Sequence, residues 1–207
     1  MKKTVNKTAQ MELVLSDGQL KRYGKNSAQE AAIRSKGFTN TSRVRSMLRV
    51  AMRQMADSSG RLSLLRNTDG FSQAAAWICD NTDRARTIGA SVLSELRGKH
   101  RLPALAEDLS LPAIYSIARS FALTGGPLTG PSLCTFLKGV QEYRTLTEGE
   151  LFLFLPLLKA ALIILLSQLA DDLVLSDNQE TGERTAGEAR LLFTMLFAAE
   201  KGRFTTA

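Results

Sequence analysis

The residue types that could do chemistry are sparse in this chain. Among the close carboxylate pairs are Glu148 with Glu150 and Asp171 with Asp172. A glycosidase needs two carboxylates across a cleft, and a sugar-nucleotide transferase needs a carboxylate pair that holds the diphosphate through a divalent ion. Helix capping explains the first pair, because Thr147 and Glu150 have the T-x-x-E spacing of a capping box. We interpret the second pair as a solvated helix end, so neither pair predicts catalysis.

Metal ligands and nucleophiles are also isolated. The single histidine, His100, has no cysteine or carboxylate cluster at ligand spacing, and the stretch R-G-K-H that contains it lacks the first glycine and the Ser/Thr of a P-loop. Cys79 and Cys134 stand alone in apolar surroundings, which is typical of buried thiols in a reducing compartment. We therefore predict no catalytic residue, no metal and no cofactor. No apolar signal segment follows the charged start, so we expect the protein in the cytoplasm or at the inner face of the membrane.

The positive charge is concentrated at the front of the chain. Residues 1–70 contain 14 Lys and Arg against 5 Asp and Glu, whereas the remainder contains 13 against 15. Arg45, Arg49 and Arg53 recur every fourth residue, so on a helix they form a basic ridge. Such a ridge suits anionic lipid headgroups or an acidic protein face, and the alternative is a merely solvated surface.

The elements that must position these residues are predicted to be helices. Ala, Leu, Arg and Glu are plentiful and apolar residues recur at spacings of three and four, so we predict an all-α fold of about seven helices. Residues 1–40 are expected to be a basic, partly flexible arm, and residues 41–207 a single helical domain. The first helix of that domain is expected to begin at Thr41 or Ser42 and to end at 58–60. A polar loop is expected at 176–188.

The segment 151–175 is the most apolar part of the sequence. From Leu151 to Leu166 the only charged residue is Lys159. A membrane-spanning helix needs about 20 apolar residues, and a central lysine costs about 2.5–3.5 kcal/mol on insertion. We therefore expect 151–175 to be the central hydrophobic helix of the bundle, with a single membrane pass through 151–170 as the alternative.

Three ordered motifs resemble those of a known family. The matching residues are Ala75, Trp77, Asp80, Asn81, Leu111, Pro112, Tyr115, Ala118, Arg119, Leu146, Thr147, Gly149, Glu150, Leu151, Leu169 and Ala170. In order and spacing, residues 74–170 resemble the helical region near the N-terminus of the very large bacterial cyclic β-1,2-glucan synthases. The sequence departs from the family at Ala76, where Glu is usual, and at Ile164 and Leu165, where the helix is usually polar.

The resemblance implies a non-catalytic role. The family's enzymes are membrane proteins that polymerise glucose from UDP-glucose, and their catalytic motifs lie beyond the matched region. It implies that this chain is a cytoplasmic module, detached or truncated from such a synthase. The motif residues are then structural: Trp77, Asp80, Asn81, Pro112, Tyr115, Arg119, Thr147 and Glu150.

The sequence as a whole predicts a helical scaffold or interaction module. The expected partners are the catalytic part of a glucan synthase, a second copy of the chain, or an anionic membrane surface reached through the arginine ridge. The first alternative is a basic nucleic-acid-binding module. This hypothesis is weaker, because no aromatic residues lie among the basic ones and no clear helix-turn-helix is present. The second alternative is an enzyme, but no group of residues in the sequence has the types and spacing of a catalytic site.

Overall fold

The computed structural model describes residues 15–31, 33–64, 73–98, 100–175 and 179–201. Within these ranges the chain forms seven helices and one two-stranded sheet, which confirms the predicted all-α class. The elements in chain order are α1 (Asp17–Glu30), β1 (Ile33–Thr39), α2 (Ser42–Leu64), α3 (Gln73–Glu95), β2 (Leu102–Leu105), α4 (Ala113–Leu123), α5 (Gly130–Tyr143), α6 (Glu148–Leu175) and α7 (Gln179–Glu200).

Helix α6 is the centre of the bundle, as the sequence predicts. It contacts α2, α3, α4 and α7, and apart from Leu155 every residue from Leu153 to Ser167 is buried. By length and composition α6 is also the one described helix that could cross a membrane, but 78% of its most apolar 18-residue window is buried by the rest of the protein. Because each buried Leu or Ile contributes about 1.5–3 kcal/mol of transfer free energy, α6 is the main hydrophobic contribution to the fold.

The start of α6 is fixed by the predicted capping box. The Glu150 backbone N–H donates to the Thr147 hydroxyl at 3.2 Å, and the Thr147 N–H donates to the Glu150 carboxylate at 3.0 Å. Glu150 is fully buried, and Arg144 makes two further hydrogen bonds to its carboxylate at 2.8 and 3.1 Å. The charge-assisted bonds offset the cost of desolvating this carboxylate, so the helix starts at 148 rather than 151.

Part of the segment that we expected to be a flexible arm belongs to the bundle. Helix α1 has a capping box at Ser16 and packs along α5, and β1 follows it. The packing is backbone to backbone: a Cβ atom at Gly24 would lie 2.2 Å from the Phe136 carbonyl oxygen, and one at Gly139 would lie 1.9 Å from the Lys21 carbonyl oxygen. Helix α1 and strand β1 thus fall within residues 1–40, the stretch that we expected to be a basic, partly flexible arm. Residues 1–14 lie outside the described residues.

The small sheet was not expected. Strand β1 pairs antiparallel with β2, with Phe38 opposite Pro103 and Thr39 opposite Leu102. No sequence pattern predicts it, because β2 has four residues including a proline and β1 contains neither a run of β-branched residues nor a regular alternation. The sheet ties the start of α2 to the segment after α3.

Two helix ends also differ from expectation. Helix α2 continues past 58–60 to Leu64, because Ser58 and Leu62 are buried and the Ser58 hydroxyl donates a hydrogen bond to Asp171 on α6. Asp171, which we interpreted from the sequence as part of a solvated helix end, is therefore half-buried. Helix α7 begins at Gln179, inside the expected polar loop, where three glutamates favour helix although Gly182 and Gly187 disfavour it.

Candidate anion-binding site

The arginine ridge predicted from the sequence lies along one side of α2. Arg45, Arg49 and Arg53 are four residues apart, so their Cα atoms rise about 6 Å from one to the next. Arg49 and Arg53 are exposed, and the Arg53 Nε donates to the Arg49 carbonyl oxygen at 3.4 Å. Arg45 is half-buried, and its Nε has no hydrogen-bond partner among the residues that the structure describes.

Helix α3 lies beside the ridge because a glycine allows a close approach. A Cβ atom at Gly89 would lie 2.4 Å from the Met52 sulfur, which is far inside van der Waals contact. The sequence suggests only that Gly89 weakens a helix, by about 1 kcal/mol relative to alanine. In the structure α3 is one continuous helix through Gly89, and Met52 occupies the space that a larger residue would need.

The close approach brings a fourth arginine to the ridge. Arg86 lies one turn before Gly89 on α3, and together with Arg49, Met52 and Arg53 it lines a shallow surface depression between the two helices. We call this depression the arginine hollow. Its floor is apolar and its walls are cationic, a combination that favours an anionic group carried on an apolar or neutral body.

The charges around the arginine hollow are weakly compensated. Arg86 contacts Asp83 at 3.4 Å, one turn earlier on α3, and the Asp83 side chain is 95% exposed, so solvent screens this pair. Helix α2 contains five arginines and a single carboxylate, Asp57, which makes no ion pair within the described ranges. The surface therefore has a positive potential that attracts anions.

The first group of motif residues has a structural role in α3. Trp77 packs edge to face on Phe193 of α7, with ring centroids 4.7 Å apart. The Asn81 side-chain amide donates to the Trp77 carbonyl oxygen at 2.8 Å, and Asp80 is exposed on the same helix. The Trp77–Phe193 contact joins α3 to α7, whereas the Asn81 hydrogen bond lies within α3.

The second group of motif residues lies at the start of α4 and in its first two turns. Pro112 is the N-cap residue of α4, with φ −66° and ψ 135°. Tyr115 is buried, its hydroxyl has no hydrogen-bond partner among the described residues, and burial raises the pKa of that hydroxyl, an effect that the charge of Arg119 partly opposes. Arg119 itself is exposed.

The remaining candidates make local structural contacts. Thr147 and Glu150 are committed to the cap of α6, and His100 Nε2 lies 3.1 Å from the Arg97 carbonyl oxygen. Within the part of the chain that the structure describes, no three His, Cys, Asp or Glu side chains come together in a way that could hold a metal ion. Of the two cysteines that we expected to be buried, Cys79 is half-buried and Cys134 is exposed.

The place of Arg86 beside the ridge was not predicted from the sequence, because it depends on how α2 and α3 pack. The ion pairs of the buried Lys159 were not predicted either; its Nζ lies 3.0 Å from Glu200 on α7 and 3.8 Å from Glu95 on α3. For Arg86 the available signal was Gly89, because a glycine inside a helix can mark a close approach of another element.

Comparison with known proteins gives no independent assignment. No family model, no curated protein and no solved structure matches the chain.

Proposed function

We propose that this chain is a non-catalytic helical scaffold that docks on an anionic partner through the arginine ridge of α2. The observation that carries the proposal is the row Arg45, Arg49 and Arg53, joined by Arg86, on a surface with little compensating negative charge. Arginines whose Cα atoms rise about 6 Å from one to the next along a helix suit an extended anionic surface, because several contacts form at once.

The enclosed position of α6 supports a docking role for the outer helices. Since α6 is covered by its neighbours, it supplies rigidity to the body, and α2 and α3 present their charged sides outward. A rigid body preorganises the arginines, which lowers the ordering cost of binding.

The partner that we propose first is the catalytic part of a cyclic β-1,2-glucan synthase, through an acidic face. This choice is supported by the motif resemblance over residues 74–170 and by the sign of the charge on α2. A second copy of the chain and an anionic membrane surface are the other partners that the ridge would suit. The proposed location is the cytoplasm, at the inner face of the membrane.

The test is charge reversal with a matched control. One variant changes Arg45, Arg49 and Arg53 to Glu, and the control changes three exposed arginines on other helices, Arg22, Arg119 and Arg190, to Glu. We expect the first variant to lose binding to the glucan synthase catalytic part or to anionic vesicles, and the control to keep most of it. Equal binding by both variants would mean that the ridge is merely solvated. Binding of the unaltered chain to DNA or RNA in a gel shift at moderate salt would favour a nucleic-acid-binding module instead.

A further inference from the structure

The arginine hollow has the composition of a site for one particular kind of anion. We propose that it binds a phosphate group. The inference rests on the proposed function, of which it develops the anionic membrane surface as partner rather than the acidic protein face. Three arginines from two helices, Arg49, Arg53 and Arg86, surround the side chain of Met52. None of the three has a strong carboxylate partner within the described ranges, since the 3.4 Å contact of Arg86 is to the highly exposed Asp83.

The number and type of donors favour phosphate over carboxylate. A guanidinium group presents its N–H donors as a planar fork, which matches two oxygens of a phosphate or a carboxylate. A carboxylate has two oxygens and one charge, so it satisfies one fork. A phosphate monoester has three free oxygens and up to two negative charges, so it can accept from three arginines together.

The apolar floor also fits a phosphate ester. Met52 is half-buried between the arginines and is held against α3 by the absence of a side chain at Gly89. The organic part of an ester can rest on this thioether while its phosphate faces the guanidinium groups. Methionine is suited to such contacts because it is flexible and polarisable.

The first experiment titrates the full-length chain with inorganic phosphate, and with acetate as the carboxylate comparison, at constant ionic strength and pH 7.5. Binding is followed by the NMR shifts of the arginine Nε–H groups. We expect the shifts to saturate, with a lower Kd for phosphate than for acetate. Arg86→Gln should weaken phosphate binding roughly tenfold, the effect of losing one charge-assisted contact. Arg61→Gln, which removes the same charge from α2 outside the hollow, should leave it unchanged.

Two results would overturn the phosphate site. One is an equal, unsaturable change of the NMR shifts with both anions, and the other is an equal effect of Arg86→Gln and Arg61→Gln on the Kd for phosphate. If phosphate fails in this way while the charge reversal of Arg45, Arg49 and Arg53 still abolishes partner binding, the scaffold proposal stands and only the phosphate site falls. If neither has an effect, both fall.

A second experiment separates the two sources of a phosphate group. Phosphatidylcholine vesicles with and without phosphatidic acid are mixed with the unaltered chain and with Arg86→Gln, in the presence and absence of inorganic phosphate. Binding that requires phosphatidic acid and Arg86, and that phosphate competes away, assigns the site to a lipid headgroup. Saturable binding of free phosphate without vesicle binding assigns it to a soluble phosphate ester. Either result supports the site, and the absence of both contradicts it.

Discussion

The ammonium group of Lys159 on α6 lies 3.0 Å from a carboxylate oxygen of Glu200 on α7, and its side chain is only 9% exposed. Glu95 on α3 completes the group at 3.8 Å. A charge in the middle of an apolar helix is costly unless it is paired, and this pairing needs α3 and α7 to be in place. In the sequence, Lys159 makes membrane insertion of this segment costly. In the structure, the same residue links three helices.

We predict that Glu200→Gln lowers the free energy of unfolding by about 1–2 kcal/mol, because it leaves the buried ammonium with its more distant partner alone. Urea unfolding followed by circular dichroism measures the change. Lys159→Met should be neutral or stabilising, since it replaces the ion with an apolar chain of similar size. Glu107→Gln, at an exposed position, is the control, and an equal loss in Glu200→Gln and this control would contradict the linking role.

The contact between Gly89 and Met52 is predicted to limit what residue 89 can be. Alanine normally stabilises a helix by up to about 1 kcal/mol relative to glycine, but here its Cβ would lie 2.4 Å from the Met52 sulfur. We expect Gly89→Ala to be neutral or to destabilise the protein by up to about 1 kcal/mol, because the flexible Met52 thioether must move aside, and we expect Met52→Ala to relieve that cost in a double-mutant cycle. Gly60→Ala on α2 is the control, since its Cβ would contact nothing within 4 Å and it should stabilise. Stabilisation by both alanines would show that α2 and α3 are further apart.

The packing of α1 on α5 depends on glycine in the same way. At Gly139 a Cβ atom would meet the Lys21 backbone, which cannot rotate away as a side chain can. Gly139→Ala should therefore separate the two helices and cost about 1–3 kcal/mol. The amides of α1 should then exchange hydrogen faster, whereas Gly18→Ala, which has open space on α1, should leave them protected. Unchanged exchange of α1 in Gly139→Ala would mean that α1 is not held there.

The buried hydroxyl of Tyr115 predicts a dependence on alkaline pH. Burial raises its pKa above the ordinary value of 10.0, so the unfolded chain loses this proton at a lower pH than the folded protein does. The stabilising contribution is complete below pH 10 and is lost as the pH rises through the raised pKa. Tyr115→Phe should flatten this alkaline loss, and it should be neutral or stabilising at pH 7 because the hydroxyl has no hydrogen-bond partner among the described residues. Tyr143→Phe is the exposed control, and parallel stability–pH curves for Tyr115→Phe and the unaltered protein would refute the prediction.

The features that could be predicted from the sequence are those with a local cause. The uniform apolarity of 151–166 predicts a central helix, which is confirmed from Leu153 onward, whereas Leu151 and Phe152 are exposed. The T-x-x-E spacing predicts the cap at Thr147, which is also confirmed. In each case the signal and the structure it predicts lie within a few residues of one another.

The features that could not be predicted depend on contacts between distant segments. The β1–β2 pairing joins residues more than sixty positions apart, and the docking of α1 depends on Gly24 and Gly139 meeting backbone that no sequence pattern identifies. The candidate site divides in the same way. The ridge of Arg45, Arg49 and Arg53 follows from spacing on one helix, whereas the contribution of Arg86 requires the packing of α3.

Native-state hydrogen exchange along α6 is the most direct test that the apolar helix is enclosed by the bundle. The measurement uses the full chain in aqueous buffer without lipid or detergent. We predict that the amides of 153–166 are the slowest in the protein and open only with global unfolding, because α2, α3, α4 and α7 must all leave before water reaches them. Fast exchange of these amides, or protection that appears only when detergent is added, would contradict an enclosed α6.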